Sequence, residues 1–160
     1  MGSIHAYETA SGQRVYRIMY RRPDNRQTQE RGFKRKRDAE IRLSEVELSK
    51  HRGDYIAPSD GQSLINDLGS EWLASKKGVL KPTSYAPLEA SWRNYVQSQW
   101  GTRPVSSIRH SEVQAWISSI NKSPTVVIRA YGILASILDA AVRDRRIPVN
   151  IARDVTLPRK

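Results

Sequence analysis

The sequence predicts an α+β chain: an N-terminal three-stranded antiparallel sheet with one helix, then an all-α bundle of four helices. Two observations lead to this prediction. Before residue 60, short runs rich in Tyr, Val and Ile alternate apolar and polar residues, which is the period of a half-buried strand. After residue 62 that period disappears, and apolar residues recur every three or four positions, as on one face of a helix.

The first part of the chain carries the strands. They are predicted over residues 4–9, 14–22 and 27–33. Turn-forming residues around Gly12 and Pro23 separate them, and a helix over 37–50 ends at Gly53. A three-stranded sheet needs its helix on the apolar face. Alternation therefore predicts the inward-facing set Tyr16, Ile18, Tyr20, Phe33, Ile41 and Leu43.

The opposite face of this sheet is predicted to be rich in arginine and glutamine. Arg17 and Arg21 lie on it, about 13 Å apart at about 3.3 Å per residue. In a major groove, Arg pairs with guanine and Gln with adenine. The pattern favours a face that binds duplex nucleic acid, although solubilising charges on an ordinary exposed face remain the alternative. The residues assigned to this surface are Arg17, Arg21, Gln27, Gln29, Arg31 and Lys34.

The charge of the chain also indicates a polyanionic partner. Ten Lys or Arg residues and only two acids, Asp24 and Glu30, lie between Arg14 and Arg37. The net charge of +11 divides into +4 for residues 1–60 (13 basic, 9 acidic) and +7 for residues 61–160 (14 basic, 7 acidic). Each Lys or Arg placed on a phosphate releases condensed counterions. Both parts are therefore expected to touch the same polyanion.

The sequence also predicts domain boundaries, and four helices beyond residue 62. The boundaries are residues 1–57, a linker at 58–62, a helical domain at 63–153 and the start of another linker at 154–160. Thr83 is expected to cap the second helix of the bundle, which places Pro87 in its first turn. Ser111 is expected to cap or open the third helix. Ser123 caps the longest helix, with proline at the first helical position.

Several function classes are not supported. The chain has no Cys, and His5, His51 and His110 are isolated, so no metal or thiol chemistry is predicted. No paired carboxylates or glycine-rich phosphate loop indicate a cofactor or a small-molecule substrate. No uninterrupted apolar run approaches the roughly 18 residues that are needed to span a bilayer, and the N-terminus lacks the apolar stretch of a signal peptide. A cytoplasmic, DNA-accessible location is the default expectation.

The order of motifs in the helical part resembles a known family. The motifs are Lys81-Pro82-Thr83-Ser84-Tyr85, the segment 101–108, Val113-Gln114-Ala115-Trp116, Ser123-Pro124-Thr125-Val126, Ile128-Arg129, Asp139-Ala140-Ala141-Val142, the segment 146–150 and Leu157-Pro158-Arg159. This succession resembles the SAM-like core-binding domain of phage-type tyrosine recombinases, the site-specific integrases. Residues 1–57, with Gly32-Phe33 and Ala39-Glu40, resemble the AP2-like arm-type DNA-binding domain. The ordered set carries the resemblance, rather than any single motif.

The resemblance implies that the chain binds double-stranded DNA at two classes of attachment site, with other integrase protomers on the same DNA. The sheet would enter a groove at arm-type sites. The starts of the second and fourth bundle helices would grip core-type sites, and helix N-termini do offer N–H groups to phosphates. Simple capping by Thr83 and Ser123, or surface packing of Arg129, remains the alternative. The matching positions are Lys81, Thr83, Ser84, Tyr85, Lys122, Ser123, Thr125 and Arg129.

The resemblance also implies that the chain itself is not an enzyme. Tyrosine recombinases cut DNA with a tyrosine held among Arg, Lys and His in a C-terminal domain, which would begin where this sequence reaches Lys160. Other functions stay open. A free-standing transcriptional regulator would bind one class of site, an RNA-binding module would need outward-facing aromatic residues, and an interaction module would not need two basic parts.

Overall fold

The computed structural model describes all 160 residues, which divide into two compact units, Met1–Tyr55 and Ile56–Lys160. The first unit contains a three-stranded antiparallel sheet and one helix, and the second contains four helices. This is the α+β architecture that the alternation and the helical periodicity predict.

The sheet has the strand order β1-β2-β3. The strands are β1 (Ser3–Glu8), β2 (Arg14–Arg21) and β3 (Gln27–Phe33). Gly32 interrupts the β2–β3 ladder, because the register shifts between Tyr16, paired with Phe33, and Arg17, paired with Arg31. Its φ of 91° lies in the left-handed region that glycine tolerates and other residues avoid. The bulge therefore depends on glycine at this position.

Helix α1 (Lys36–Arg52) packs on one face of the sheet and ends at Gly53, whose φ is 78°. Ile18 and Tyr20 are buried beneath it, as predicted. The prediction that Ile41 faces the sheet is wrong, since Ile41 is 51% exposed. Ala39 and Val46 are the buried residues of α1. A residue two positions from Ala39 points about 200° away around a helix of 3.6 residues per turn.

A hydrogen-bonded ion pair joins α1 to the sheet. Arg42 donates from Nε to Glu30 Oε2 (2.9 Å) and from Nη2 to Glu30 Oε1 (3.2 Å). The Tyr20 hydroxyl donates to Glu30 Oε1 (2.7 Å) and lies 2.9 Å from the Tyr55 hydroxyl. Burial acts to raise the pKa of Glu30, but the hydrogen bonds from Arg42 and Tyr20, with the Arg42 charge, outweigh it and lower that pKa. Burial raises the pKa of Tyr20, and the hydrogen bonds to Tyr55 and Glu30 raise it further.

The second unit is a bundle around a tryptophan-rich core. Its helices are α2 (Ile65–Lys77), α3 (Pro82–Ser91, a π-helical stretch Trp92–Gln97, then Ser98–Trp100), α4 (His110–Ser119) and α5 (Pro124–Arg143). Trp92, Trp100 and Trp116 are buried, and the rings of Trp100 and Trp116 meet edge to face with centroids 5.7 Å apart. Helix α5 supplies eight buried residues to this core.

Helix α5 is long and apolar enough to cross a membrane by length and composition, contrary to the expectation from the sequence. Its buried residues, including Leu134 and Leu138, pack against the other helices of the bundle. Arg129 and Asp139 also lie within it. Its apolar character is therefore accounted for by its position in the core of this unit.

The start of α3 differs from the prediction. Lys81, not Thr83, is the N-cap, and Pro82 is the first helical residue. Proline fixes φ near the helical value and lacks an N–H that would have no partner there, so it favours this start. Pro87 consequently lies inside the helix rather than in its first turn. The N-cap Ser123 with Pro124 following is as predicted, whereas α4 begins at His110, one residue before Ser111.

Both segments predicted as linkers have contacts within the second unit. Asp60–Gln62 forms a 3-10 turn in which Gly61 is buried. Beyond α5, Gln114 donates from Nε2 to the Thr156 carbonyl (3.1 Å) and accepts from the Thr156 N–H (2.8 Å). Asn150 donates to Asp139 Oδ1 (2.8 Å), and this bond, with one from Arg153, lowers the pKa of Asp139. The chain therefore follows α4 and α5 as far as Leu157, which packs against the core.

Gly69→Ala is expected to destabilise the second unit by about 1–3 kcal/mol, because a Cβ at this position would overlap the six-membered ring of Trp92. The matched change Gly132→Ala, where nothing lies within 4 Å of an added Cβ, should stabilise the unit by about 0.5–1 kcal/mol through helix propensity. Urea unfolding followed by tryptophan fluorescence reports this unit alone, since all four Trp lie in it. Equal unfolding midpoints for the two variants would contradict the packing.

Glu30→Gln is expected to lower the unfolding free energy of the first unit by about 1–3 kcal/mol at neutral pH, because it removes a charged, partly buried acceptor. The folded-state pKa of Glu30 is lowered, so its contribution is present above the ordinary glutamate pKa of about 4.3 and is lost as pH falls below it. The difference between wild type and variant should therefore shrink in acid.

Urea unfolding followed by the NMR amide signals of β2 and β3 measures this effect, with tryptophan fluorescence as an internal reference for the second unit. Glu45→Gln is the matched control. Glu45 also contacts Arg42 (3.4 Å), but its side chain is 61% exposed, so little change is expected. A difference for Glu30→Gln that persists unchanged in acid would argue against the ion pair.

Candidate nucleic-acid interface

The sheet face opposite α1 gathers most of the predicted residues of the first unit. Strand register places Arg17 opposite Arg31, Met19 opposite Gln29, and Arg21 opposite Gln27. Directly paired residues share a face of the sheet. We call this surface the open face; its strand residues are Ser3, His5, Tyr7, Val15, Arg17, Met19, Arg21, Gln27, Gln29 and Arg31.

Charge is segregated between the two faces of the sheet. The strands contain two carboxylates, Glu8 and Glu30, which pair with Arg14 and Ile18 and so lie on the helix side. The open face has three arginines and no strand carboxylate. Arg17 and Arg31 are directly opposite each other, an arrangement of like charges that is unfavourable without an anion nearby. This face is therefore suited to bind a polyanion.

Arg17 is more buried than the other two arginines of the open face. Its guanidinium carbon lies 5.9 Å from the centroid of the Tyr7 ring, within the range of a cation–π contact. Arg17 is half-buried, and its Nε is inaccessible to solvent with no hydrogen-bond partner. Val15 lies on this same face and is only 4% exposed, so a buried apolar side chain lies beside Arg17 on the open face. The packing orients the guanidinium before any ligand arrives.

The other predicted residues of this unit are exposed. Arg21 donates from Nη1 to the Asn25 carbonyl (3.3 Å), while Gln27, Gln29 and Arg31 are exposed along β3. Lys34 is also exposed, but it lies in the connection between β3 and α1, outside the strand register. The structure therefore brings five of the six predicted residues onto one face and leaves Lys34 beside it.

In the second unit, α3 and α5 begin in the same way. Each has an N-cap followed by proline and threonine, and the N-cap carbonyl accepts two amide hydrogens. Lys81 O accepts at 2.9 Å from both Ser84 and Tyr85, and Ser123 O accepts from residues 126 and 127 at 3.0 and 3.1 Å. The amide of the threonine at the second helical position has no acceptor within the helix. Both starts therefore present a polar, donor-rich end.

The side chains at these helix starts are exposed, with one exception. Tyr85 is half-buried and packs against the bundle core, so packing explains its position. Arg129 lies on an exposed side of α5, one turn beyond the helix start. The exposed members of the predicted set are Lys81, Thr83, Ser84, Lys122, Ser123, Thr125 and Arg129.

No residue of β1 was predicted to lie on the open face, and His5 was expected to be isolated. His5 is the register partner of Arg17 on β1 and is exposed. Extending the alternation of β2 through the Gly12 turn would have placed it there. The described residues contain no group of three His, Asp or Glu side chains that could hold a metal ion.

Comparison with known proteins identifies the fold. No protein-family model matches the sequence, and no curated protein matches it. A crystal structure of a lambda integrase dimer bound to a COC' core site matches 97% of this chain and 45% of its own, with a TM-score of 0.58 and 13% identity. A lambda integrase tetramer bound to a Holliday junction matches 97% of this chain and 47% of its own, with a TM-score of 0.57 and 12% identity.

A third match covers part of the chain. The solution NMR structure of a fragment from Clostridium leptum matches 59% of this chain and 87% of its own, with a TM-score of 0.54 and 20% identity. At these identities the matches show the fold, and this chain spans about half the length of the integrase chains. The chain has the fold of the N-terminal region of lambda integrase.

Proposed function

We propose that this chain binds double-stranded DNA as the N-terminal portion of a phage-type integrase, acting in DNA integration and recombination. The observation that carries the proposal is the segregation of charge on the sheet. Three arginines and two glutamines face one way, and both strand carboxylates face the other. A net charge of +11 adds long-range attraction to phosphate.

The fold supports the same partner. Lambda integrase, which shares this fold over 97% of the chain, is described as a dimer on a core site and as a tetramer on a Holliday junction. By analogy, the partners of this chain are duplex DNA and other protomers assembled on it. In this proposal the chain supplies DNA binding and not strand cleavage, and it acts on DNA in the cytoplasm of a bacterial host.

The two units have separate roles in this proposal. The open face of the first unit enters a groove at an arm-type site, where arginine donates to guanine or phosphate and glutamine pairs with adenine. The starts of α3 and α5 contact the backbone of a core-type site through exposed side chains and helix amides. The proposed core-site contacts are the exposed members of the predicted set, Lys81, Thr83, Ser84, Lys122, Ser123, Thr125 and Arg129, whereas Tyr85 packs against the core.

Arg21→Ala is expected to weaken DNA binding by about 1–3 kcal/mol and to reduce the slope of log affinity against log salt by about 1, because one cation on the open face is lost. Arg52→Ala is the matched control. Arg52 has the same charge but lies at the end of α1 and pairs with Asp54 (3.3 Å).

Fluorescence anisotropy of a labelled duplex, titrated over a range of salt concentrations, measures both quantities. Equal losses for Arg21→Ala and Arg52→Ala would mean that net charge, and not the open face, determines binding.

The division of roles predicts variants that affect one class of site. Arg17→Ala and Arg21→Ala should reduce protection of arm-type DNA, whereas Lys81→Ala and Arg129→Ala should reduce protection of core-type DNA only. Arg93→Ala is the control in the second unit, since Arg93 is paired with Glu89 (2.7 Å) on α3. The measurement is a footprint of the full chain on DNA that flanks a candidate attachment site.

The same footprint separates this proposal from a free-standing transcriptional regulator. A regulator would protect one class of operator site, and every variant that weakens binding would weaken it there. Two unrelated protected sequences, each sensitive to variants of one unit, are the result expected for the integrase portion.

A further inference from the structure

We infer that His5 is a further DNA contact of the open face and that it gains a proton when DNA binds, so that the affinity for DNA rises as pH falls. This inference rests on the proposed DNA-binding function. It adds a residue and a pH dependence that neither the charge pattern nor the fold assigns.

Three side chains of the open face form a row across the sheet. His5 on β1 is the register partner of Arg17 on β2, and Arg17 is the partner of Arg31 on β3. Neighbouring strands lie about 4.8 Å apart, so the row spans about 10 Å. All three side chains lie on the open face. A ligand that contacts the two arginines therefore passes beside the imidazole.

The groups facing His5 include no carboxylate. Ser3 and Tyr7 flank it along β1, and Arg17 faces it from β2, with Arg31 beyond. Glu8 and Glu30 lie on the other face, and α1 packs there as well. Asp24, the carboxylate in the β2–β3 turn, is bound to Arg26. The charged strand residues that share this face with His5 are therefore arginines, and bound phosphate oxygens would supply the negative charge that the face lacks.

The hydrogen bond made by His5 is compatible with both protonation states. Its Nε2 lies 2.9 Å from the Ser3 hydroxyl. A hydroxyl either donates or accepts, so the contact holds whether Nε2 carries a hydrogen or a lone pair. Nδ1 has no hydrogen-bond partner in the protein, and the residue is exposed. The ring is therefore oriented by Ser3 while its other nitrogen stays available to an external acceptor.

DNA bound against the row of His5, Arg17 and Arg31 should cause His5 to take up a proton. Histidine is the side chain whose charge ordinarily changes between about pH 5 and 8. Phosphate oxygens favour the charged ring, so the complex binds more protons than the free protein. By linkage, affinity then rises as pH falls, by at most about tenfold per pH unit for one proton.

The test compares four full-length proteins: the wild type, His5→Gln, His5→Lys and the control His51→Gln. His51 is an exposed histidine in the same unit, in the last turn of α1 and away from the open face. Anisotropy with a short mixed-sequence duplex, at one low ionic strength, gives affinity between about pH 5.5 and 8.

The wild type and His51→Gln should bind several-fold more tightly at the acidic end. His5→Gln should show a flat profile near the wild-type value at the basic end, and His5→Lys a flat profile tighter than that of His5→Gln. Isothermal titration in two buffers of different ionisation enthalpy should detect proton uptake by the wild type and none by His5→Gln.

A His5→Gln profile with the wild-type slope, or a flat wild-type profile, would overturn the inference and leave the proposed function standing. Absence of any binding by the wild type across this pH range would overturn both. Circular dichroism of each variant checks that the exposed substitution leaves the fold intact.

Discussion

The two-residue period of β3 is the constraint on which the first unit depends. A shift of one residue would exchange the faces of the strand and place Glu30 among the arginines. The ion pair with Arg42, supported by the Tyr20 hydroxyl, fixes Glu30 on the helix side. The same interaction that attaches α1 to the sheet therefore keeps the open face free of negative charge. The contact that stabilises the fold of the first unit thus also maintains the charge of the surface proposed to bind DNA.

Gly32 completes this arrangement at the end of the strand. Without an additional residue, strict alternation after Arg31 would place Phe33 on the open face. The bulge at Gly32 instead pairs Phe33 with Tyr16, on the helix side. A residue with a side chain would be strained at a φ of 91°. Phe33 therefore does not join the apolar residues beside Arg17 on the open face, such as Val15 and Tyr7.

The sequence was most informative about structure where apolar residues recur with a single period. The alternation of β2 and β3 was enough to place Arg17 and Arg21 with Gln27, Gln29 and Arg31, and Ser123-Pro124 was enough to start α5. Helix α1 was harder, because its apolar residues do not form one stripe: Ile41 and Leu48 are both more than half exposed. The register of β1 depends on pairing with β2 rather than on a local signal, which is why His5 was missed. The predicted start of α3 differs from the observed start because Pro82 and Thr83 are both good helix-initiating residues.

The sheet has only three strands, so β1 and β3 each have one side without a strand partner. Such borders attract further strands, and proteins commonly protect them with charge. Arg31 on β3 places positive charge along one of these borders and would repel the equivalent border of another copy. A cation proposed to recognise phosphate would thus also disfavour pairing of the free chain with a second copy through its backbone.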